Sequence, residues 1–330
     1  MKKIAFVTGM TGQDGPYLAK YLLEKDYKVY GLVKRYSNPN FSNLEYLGIE
    51  DDIELITGDI TDDANINHLM KSIKPNEFYN LAAQSFVGSS WDLNKVTADV
   101  NAIGPLNILN AILLHSPETK YYQASTSELY GNSHVDGIQD ENTPFHPRSP
   151  YGISKLYAYW ITVNFRESYS LYTSNGILFN HESPLRGKEF VTRKVTEGVA
   201  KIHLGLADKI TLGNLDAKRD WGFAGDYVEA MYLMLQQSEP SDYVVCTGVQ
   251  HSIRELLDKS FAAANITDWE DYVETDPRFK RPAELHSLRG TYQKAKDKLG
   301  WEPKTSFEDM ITLMVQEDIK RLKNEHKLAN

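Results

Sequence analysis

Tyr151 and Lys155 stand four apart in Ser149-Pro150-Tyr151-Gly152-Ile153-Ser154-Lys155, downstream of Ser125-Thr126-Ser127-Glu128. On a helix opened by Pro150 and Tyr151, residues at this spacing project from one face. A lysine ammonium there favours the phenolate and makes a usable base of a group whose pKa is ordinarily about 10. A hydroxyl from Ser125-Thr126-Ser127 can hydrogen-bond the oxygen that loses its proton. Glu128 adds something that moving a hydride and an alcohol proton does not require: a second acid/base.

The first glycine turn points to the hydride's carrier. Gly9-Met10-Thr11-Gly12-Gln13-Asp14-Gly15 follows the run Ile4–Thr8 and opens a helical stretch, Pro16–Glu24. Gly-x-x-Gly-x-x-Gly between strand and helix gives a tight turn, close approach of backbone to phosphate, and close helix packing. The turn residues Gly9, Thr11, Gly12, Gln13, Asp14 and Gly15 are then expected to hold a dinucleotide pyrophosphate at the helix N-terminus. At the end of the second strand a carboxylate would bind a ribose 2′-hydroxyl, whereas a base accommodates a 2′-phosphate. The chain reads Leu32-Val33-Lys34-Arg35 there, which predicts NADP with Arg35 as the phosphate contact. Asp59 and Ile60 follow the third strand and are placed to meet the adenine. Leu81, Ala82, Ala83, Gln84 and Ser85 follow the fourth and are expected along the cofactor's middle.

The elements that position these groups are legible as an alternation. Strands are expected at Ile4–Thr8, Lys28–Val33, Ile53–Thr57, Glu77–Ala82, Lys120–Ala124 and Thr173–Phe179, with amphipathic stretches such as Tyr17–Glu24 and Asn65–Ile73 between them. That pattern predicts an α/β fold, a Rossmann-type doubly wound parallel sheet covered on both faces. At 330 residues, the chain suits one large domain plus a smaller C-terminal one. The boundaries expected are 1–180 with about 215–250 for the first, and 181–214 with 251–330 for the second.

Composition narrows the class. The chain is 41% hydrophobic and 25% charged, a soluble globular profile. No apolar run approaches the roughly 20 residues of a membrane helix, so no membrane partner is expected. A net charge of −9 argues against general nucleic-acid affinity. Cys246 is the single cysteine and sits in the strand-like Tyr243-Val244-Val245-Cys246-Thr247. It excludes an internal disulfide framework and a multi-cysteine metal site, and suits a reducing, cytoplasmic setting. Met1-Lys2-Lys3 leads straight into the first strand and does not read as a signal peptide.

Taken together, the glycine turn, the Tyr/Lys pair and Ser125–Glu128 resemble the extended short-chain dehydrogenase/reductase superfamily and, within it, the GDP-mannose 4,6-dehydratase family. The resemblance runs from the first strand to the last helix. It is carried also by Asn80–Ser85, Ala124–Gly131, Ser149–Trp160, Leu178-Phe179-Asn180-His181-Glu182-Ser183-Pro184, Asp216–Gly222 and Arg281-Pro282-Ala283-Glu284. It implies that Thr126, Glu128 and Tyr151 are catalytic, that Lys155 holds Tyr151 and the cofactor ribose, and that His181 and Arg186 contact the cofactor. It also implies a GDP-sugar substrate gripped by Asn180, Lys194, Arg219, Arg281 and Glu284, with Ser85 near the sugar, because a nucleotide diphosphate needs fixed positive charge. A homo-oligomer, dimer or tetramer, is expected.

The implied reaction explains Glu128. The hydrogen on C5 of a hexose is not acidic until C4 is oxidised to a ketone, after which a carboxylate can remove it and water can leave from C6. Two segments depart from the family pattern: Leu285-His286-Ser287-Leu288-Arg289-Gly290-Thr291 and the loop Tyr36-Ser37-Asn38-Pro39-Asn40-Phe41. They leave sugar preference and assembly open. A GDP-heptose dehydratase, a nucleotide-sugar epimerase or reductase that has no need of Glu128, and a non-catalytic NADP-binding sensor stand as alternatives.

Overall fold

The computed structural model describes residues 2–35, 37, 40–133, 137–276 and 288–329. Arg281 and Glu284 lie outside the described residues, as do Leu285, His286 and Ser287 of the departing segment that follows them. The first part of the chain runs β1 (Ile4–Val7), α1 (Asp14–Glu24), β2 (Lys28–Val33), α2 (Ser42–Leu47), β3 (Glu54–Thr57), α3 (Asp63–Ile73) and β4 (Glu77–Asn80). It continues through α4 (Asn94–Ala98), α5 (Gly104–His115), β5 (Lys120–Thr126), α6 (Pro150–Tyr169) and β6 (Thr173–Leu178). The remainder comprises β7 (Asn180–Glu182), α7 (Val191–His203), β8 (Ile210–Leu212), β9 (Lys218–Phe223), α8 (Ala224–Leu235) and β10 (Tyr243–Val245). After these come β11 (Gln250–Ser252), α9 (Ile253–Ala263), β12 (Val273–Thr275), α10 (Gln293–Leu299) and α11 (Phe307–Ala329).

Seven strands form one sheet in the order β3-β2-β1-β4-β5-β6-β10, every pair parallel. This is the doubly wound Rossmann arrangement, with the reversal of strand order between β1 and β4, where such sheets open a ligand crevice. Adjacent residues in a strand face opposite sides, and the core follows that rule. Val7, Tyr79 and Tyr122 pack with Leu18 and Leu22 of α1 and Met231 and Met234 of α8. Their neighbours Phe6, Phe78 and Tyr121 pack on the other face with Ile66 and Met70 of α3 and Ile108 and Ile112 of α5. A separate apolar core gathers Val195 and Val199 of α7, Leu256 and Phe261 of α9, and Ile311 and Met314 of α11 around Trp221.

The strands end where their hydrogen bonds have better partners. β4 stops at Asn80 rather than Ala82 because the Leu81 and Ala82 N–H groups both donate to the Thr8 hydroxyl, at 3.0 Å each. β5 runs on past Ala124 to Thr126, paired with β6. The helical stretch Asn94–His115, interrupted by a π-helical turn at Asp99–Ile103, is long and apolar enough by length and composition to cross a membrane. The expectation that no stretch has that character therefore needs correcting. More than half of its most apolar window is buried, and Val100, Ile108, Leu109 and Ile112 fill the sheet core, so it is a core helix.

Candidate active site

The glycine turn has the shape a dinucleotide requires. Gly9 has φ +72°, and a Cβ on it would lie 2.9 Å from the Leu81 carbonyl carbon and oxygen. A Cβ on Gly15 would lie 2.6 Å from the Gly9 oxygen. Side chains there would part the turn from β4 and lift α1 off it. Above this turn lies a cavity of about 430 Å³. Gly9 to Gly15, Asp59, Ile60, Leu81 to Ser85 and Arg186 all line it, which brings together most of the expected cofactor residues. Lys34 lines it too, with its ammonium 3.1 Å from Asp59. Arg35, the expected phosphate contact, is exposed and falls one residue beyond that wall.

A chain of buried hydrogen bonds ties the strand ends beneath the cavity. The Thr8 hydroxyl, already accepting two backbone N–H groups, donates to Asn80 Oδ1 at 2.7 Å. Asn80 Nδ2 therefore donates to Gln123 Oε1 at 2.9 Å, and Gln123 Nε2 to the Ala124 carbonyl at 2.9 Å. That carbonyl also accepts the Lys155 ammonium at 2.9 Å. The sequence reading named none of Thr8 or Gln123; only polar residues in otherwise apolar strands hinted at them.

The Tyr/Lys pair sits where the spacing puts it. Ser149 caps α6 by accepting the Gly152 N–H at 3.0 Å, and Pro150 takes the first helical position. Gly152 suits this close packing, since a Cβ would come 3.0 Å from Pro147 Cβ and 3.2 Å from the Glu128 carbonyl oxygen. The absence of a side chain lets the turn Ser127–Leu129 press Glu128 against the start of α6. Tyr151 is 9% exposed and Lys155 3%. Burial pushes the Tyr151 phenol up to about 12, opposed by a hydrogen bond with Thr126 and reinforced by the Glu128 carboxylate, while Arg186 pulls it down. Burial pushes Lys155 down to about 8, with Asp14 acting against it. The Lys155 ammonium donates to the Ala124 carbonyl, and Arg186 is a cation that favours the Tyr151 phenolate.

His181 joins the two halves of the site without lining the cavity. Its Nε2 lies 2.8 Å from Asp14 Oδ2 and its Nδ1 2.8 Å from the Phe179 carbonyl, and the ring stacks on Tyr227. Both partners are acceptors, an arrangement that favours protons on both ring nitrogens and raises the half-buried His181 above the ordinary imidazole value. Gln13 completes the latch, donating to the His181 carbonyl at 3.0 Å and accepting the Ser183 hydroxyl at 2.9 Å. Arg186 follows, with Nε 3.1 Å from the buried Glu182 and its guanidinium 3.5 Å from the Phe190 ring centre.

Of the expected substrate residues, Asn180 is half-buried at the start of β7, Lys194 half-buried on α7, and Arg219 half-buried on β9. Beside Arg219, the fully buried Asp220 accepts the Thr247 N–H at 2.9 Å and the Gly248 N–H at 2.8 Å, pinning the turn after β10. Burial pushes its carboxyl up to about 6.

A parallel seven-stranded Rossmann sheet, a glycine turn with a cavity above it and a buried Tyr/Lys pair at the start of α6 define the short-chain dehydrogenase/reductase class, although Thr126, Glu128, Tyr151 and Lys155 do not themselves line that cavity. Among solved structures, UDP-glucose 4-epimerase of Thermus thermophilus in complex with NAD superposes with a TM-score of 0.84 at 26% identity, covering 96% of this chain and 98% of that one. Sequence likeness is much greater elsewhere. GDP-mannose 4,6 dehydratase 1 of Arabidopsis thaliana is 50% identical over 339 residues, spanning 100% of this chain and 93% of the relative. The human GDP-mannose 4,6 dehydratase is 49% identical over 349 residues, spanning 98% and 93%. The profile described as GDP-mannose 4,6 dehydratase matches residues 6–314. The chain belongs to the GDP-mannose 4,6-dehydratase family.

The Asp14–His181 latch carries a pH signature. Its charged partner raises His181 against the opposing effect of burial, and the imidazolium lowers Asp14, again against burial. The His181 contribution to stability is full below the ordinary imidazole value of 6.5 and is lost as pH rises through the raised value. That of Asp14 is full above the ordinary 3.8 and is lost as pH falls through the lowered value. In D14N the buried imidazole loses its counter-charge and its reason to stay protonated. The Tm gap between the parent and D14N should therefore be widest near about pH 5.5 and narrow towards about pH 9.5; a gap that does not change with pH overturns the assignment.

Proposed function

We propose that the chain converts GDP-α-D-mannose to GDP-4-dehydro-6-deoxy-α-D-mannose and water, a hydro-lyase reaction with NADP as the bound cofactor. The observation that carries this reading is Glu128 held beside Tyr151 and Thr126 in a member of this family, since an epimerase or reductase has no use for that carboxylate. The glycine cradle and the cavity above it fit a dinucleotide. Bound NADP supplies a hydride acceptor that gives the hydride back within the same turnover. Tyr151, assisted by the Thr126 hydroxyl, takes the proton of the C4 hydroxyl. Glu128 removes the C5 proton, now α to a carbonyl, and delivers it to the C6 hydroxyl, which leaves as water; Tyr151 or a neighbouring group returns a proton to C5. Lys155 steadies Tyr151 and the cofactor ribose. Asn180, Lys194 and Arg219, with Arg281 and Glu284, grip the remote GDP, and that binding holds three sugar carbons against three groups. Of these, Lys194, Arg281 and Glu284 belong to the smaller unit proposed, 181–214 with 251–330, while Asn180 and Arg219 stand on the border of the larger one.

The 2′-phosphate preference rests on Lys34 and Arg35, with Lys34 on the cavity wall and Arg35 next to it. For assembly we propose a second copy of the chain against the outer face of α6 and α4. Ile153 is 60% exposed and Trp160 55%, and with Tyr157 they form one helical stripe. Leu93, Val96 and Ile103 form a second exposed apolar row. Val96 also lines the cofactor cavity, so a partner seated there would shield the cofactor.

Incubated with GDP-mannose and NADP, the protein should yield a product lighter by one water, and GDP-mannose should be turned over faster than a GDP-heptose. E128Q should keep cofactor binding and some C4 oxidation while dehydration falls by on the order of 10²–10⁴-fold; release of water at the parental rate removes Glu128 from the mechanism. K34E and R35E should each weaken NADP by about tenfold or more while leaving NAD within about twofold, and equal losses for both cofactors overturn the phosphate assignment. Light scattering should give a dimer or tetramer that I153D/W160D dissociates; a parent of single-chain mass rejects the assembly.

A further inference from the structure

Arg193 and Asp318 are among the most deeply buried charges in the molecule, 3% and 1% exposed, and neither lines the cofactor cavity. Arg193 on α7 donates from Nε to both oxygens of Asp318, at 2.9 and 3.0 Å, and its Nη2 lies 2.6 Å from Oδ1. Asp318 on α11 also accepts the Thr196 hydroxyl at 2.8 Å. A pair so buried is a poor source of stability, because desolvating two charges costs about as much as their attraction returns.

Its geometry has a destination, however. The remaining arm of the guanidinium, Nη1, donates to the carbonyls of Pro184 at 2.8 Å and Arg186 at 2.9 Å. Arg321, one turn along α11 from Asp318, adds a second donor to the Pro184 carbonyl at 3.1 Å. The same short segment is fastened on its other side to the phosphate turn, through the Ser183 hydroxyl on Gln13 at 2.9 Å. The backbone that carries Arg186 is therefore clamped between the glycine turn and the last helix. Arg186 in turn lines the cofactor cavity and is the cation that opposes the rise of the Tyr151 phenol.

We propose that Arg193 and Asp318 are positioning residues: through the Pro184 and Arg186 carbonyls they set where the Arg186 guanidinium stands against the bound dinucleotide and Tyr151. Asp318 lies beyond residues 6–314, the stretch matched by the family profile. The inference rests on the reading that Arg186 contacts the cofactor.

The test is the double substitution R193M/D318L, which replaces the pair with apolar side chains, made both in the parent and in R186M. Unfolding temperature, NADP affinity by titration, and the pH profile of turnover are measured on each. In the parent background the replacement should lower Tm, because the Pro184 and Arg186 carbonyls lose their Arg193 donor, weaken NADP by about tenfold, and move the Tyr151-dependent limb of the profile to higher pH. In the R186M background it should cost less than about twofold, because the group it positions is already absent. Parental NADP affinity in a folded R193M/D318L protein overturns the proposal, and so does an equal loss in both backgrounds, which marks a general structural role. If the double variant does not fold, R193K takes its place: it keeps the ion pair but lacks the planar fork that reaches two carbonyls as well, and the same two-background comparison applies. An R186M protein that binds NADP like the parent removes the underlying reading of Arg186 and the proposal with it. R186M weakened while the replacement is silent removes the proposal alone.

Discussion

The site depends on a one-way chain of hydrogen bonds across the ends of β1, β4 and β5. Both lone pairs of the Thr8 hydroxyl are taken by the Leu81 and Ala82 N–H groups, so its proton has one place to go, Asn80 Oδ1. The orientation of the Asn80 amide follows, then that of Gln123, and the chain ends on the Ala124 carbonyl that receives Lys155. In a buried setting, each member left unpaired would cost about 1–3 kcal/mol. The ends of three strands are therefore held in one register with respect to the glycine turn and to α6. Rigidity of this kind matters more to a reaction with several reacting carbons than to one with a single transfer.

Two further ties lead away from that chain. The Asp14–His181 and Gln13–Ser183 contacts join the phosphate turn to β7 and the segment after it. The Arg193–Asp318 pair joins that segment to α7 and α11, elements of the second apolar core. The phosphate turn and the second apolar core thus share a short strip, residues 180–186, in which His181 and Ser183 face the turn while Glu182 and Arg186 pair with each other.

Much of this was legible in the residues alone. β2 matches its expected bounds, and the α6 start was announced by Ser149 and Pro150. The glycine turn gathered its expected neighbours, because local spacing alone dictates that geometry. What was not legible depends on pairings remote in sequence. No local pattern marks Arg193 for Asp318, 125 residues away, or tells Lys34 from Arg35 at a strand end where one residue decides which side chain meets the cavity. Gln123 reads locally as a polar interruption in a strand; its meaning comes from Asn80 on the neighbouring one. The π-helical turn at Asp99–Ile103 likewise has no signature in the sequence, yet it lets one helical run continue from Asn94 to His115.

The protonation states close the argument. Burial drives Tyr151 and Lys155 in opposite directions, the phenol up to about 12 and the ammonium down to about 8. Both shifts have the same cause, the withdrawal of water from the charged form. A phenol that high is a poor base near neutral pH, so the protein alone does not ready the tyrosine. The missing share has to come from groups that arrive with the ligands or that the protein aims at them. Arg186 is the cation already in place, and the Thr126 hydroxyl is the donor already in place. A positively charged ring brought beside the phenol would add to both in a site that excludes water, where such charges act most strongly. The tyrosine would then become basic only when the cavity is filled, which couples proton removal to the presence of the group that accepts the hydride. That coupling would give the buried environment of Tyr151 a purpose: the burial that raises the phenol also strengthens its response to charge supplied beside it.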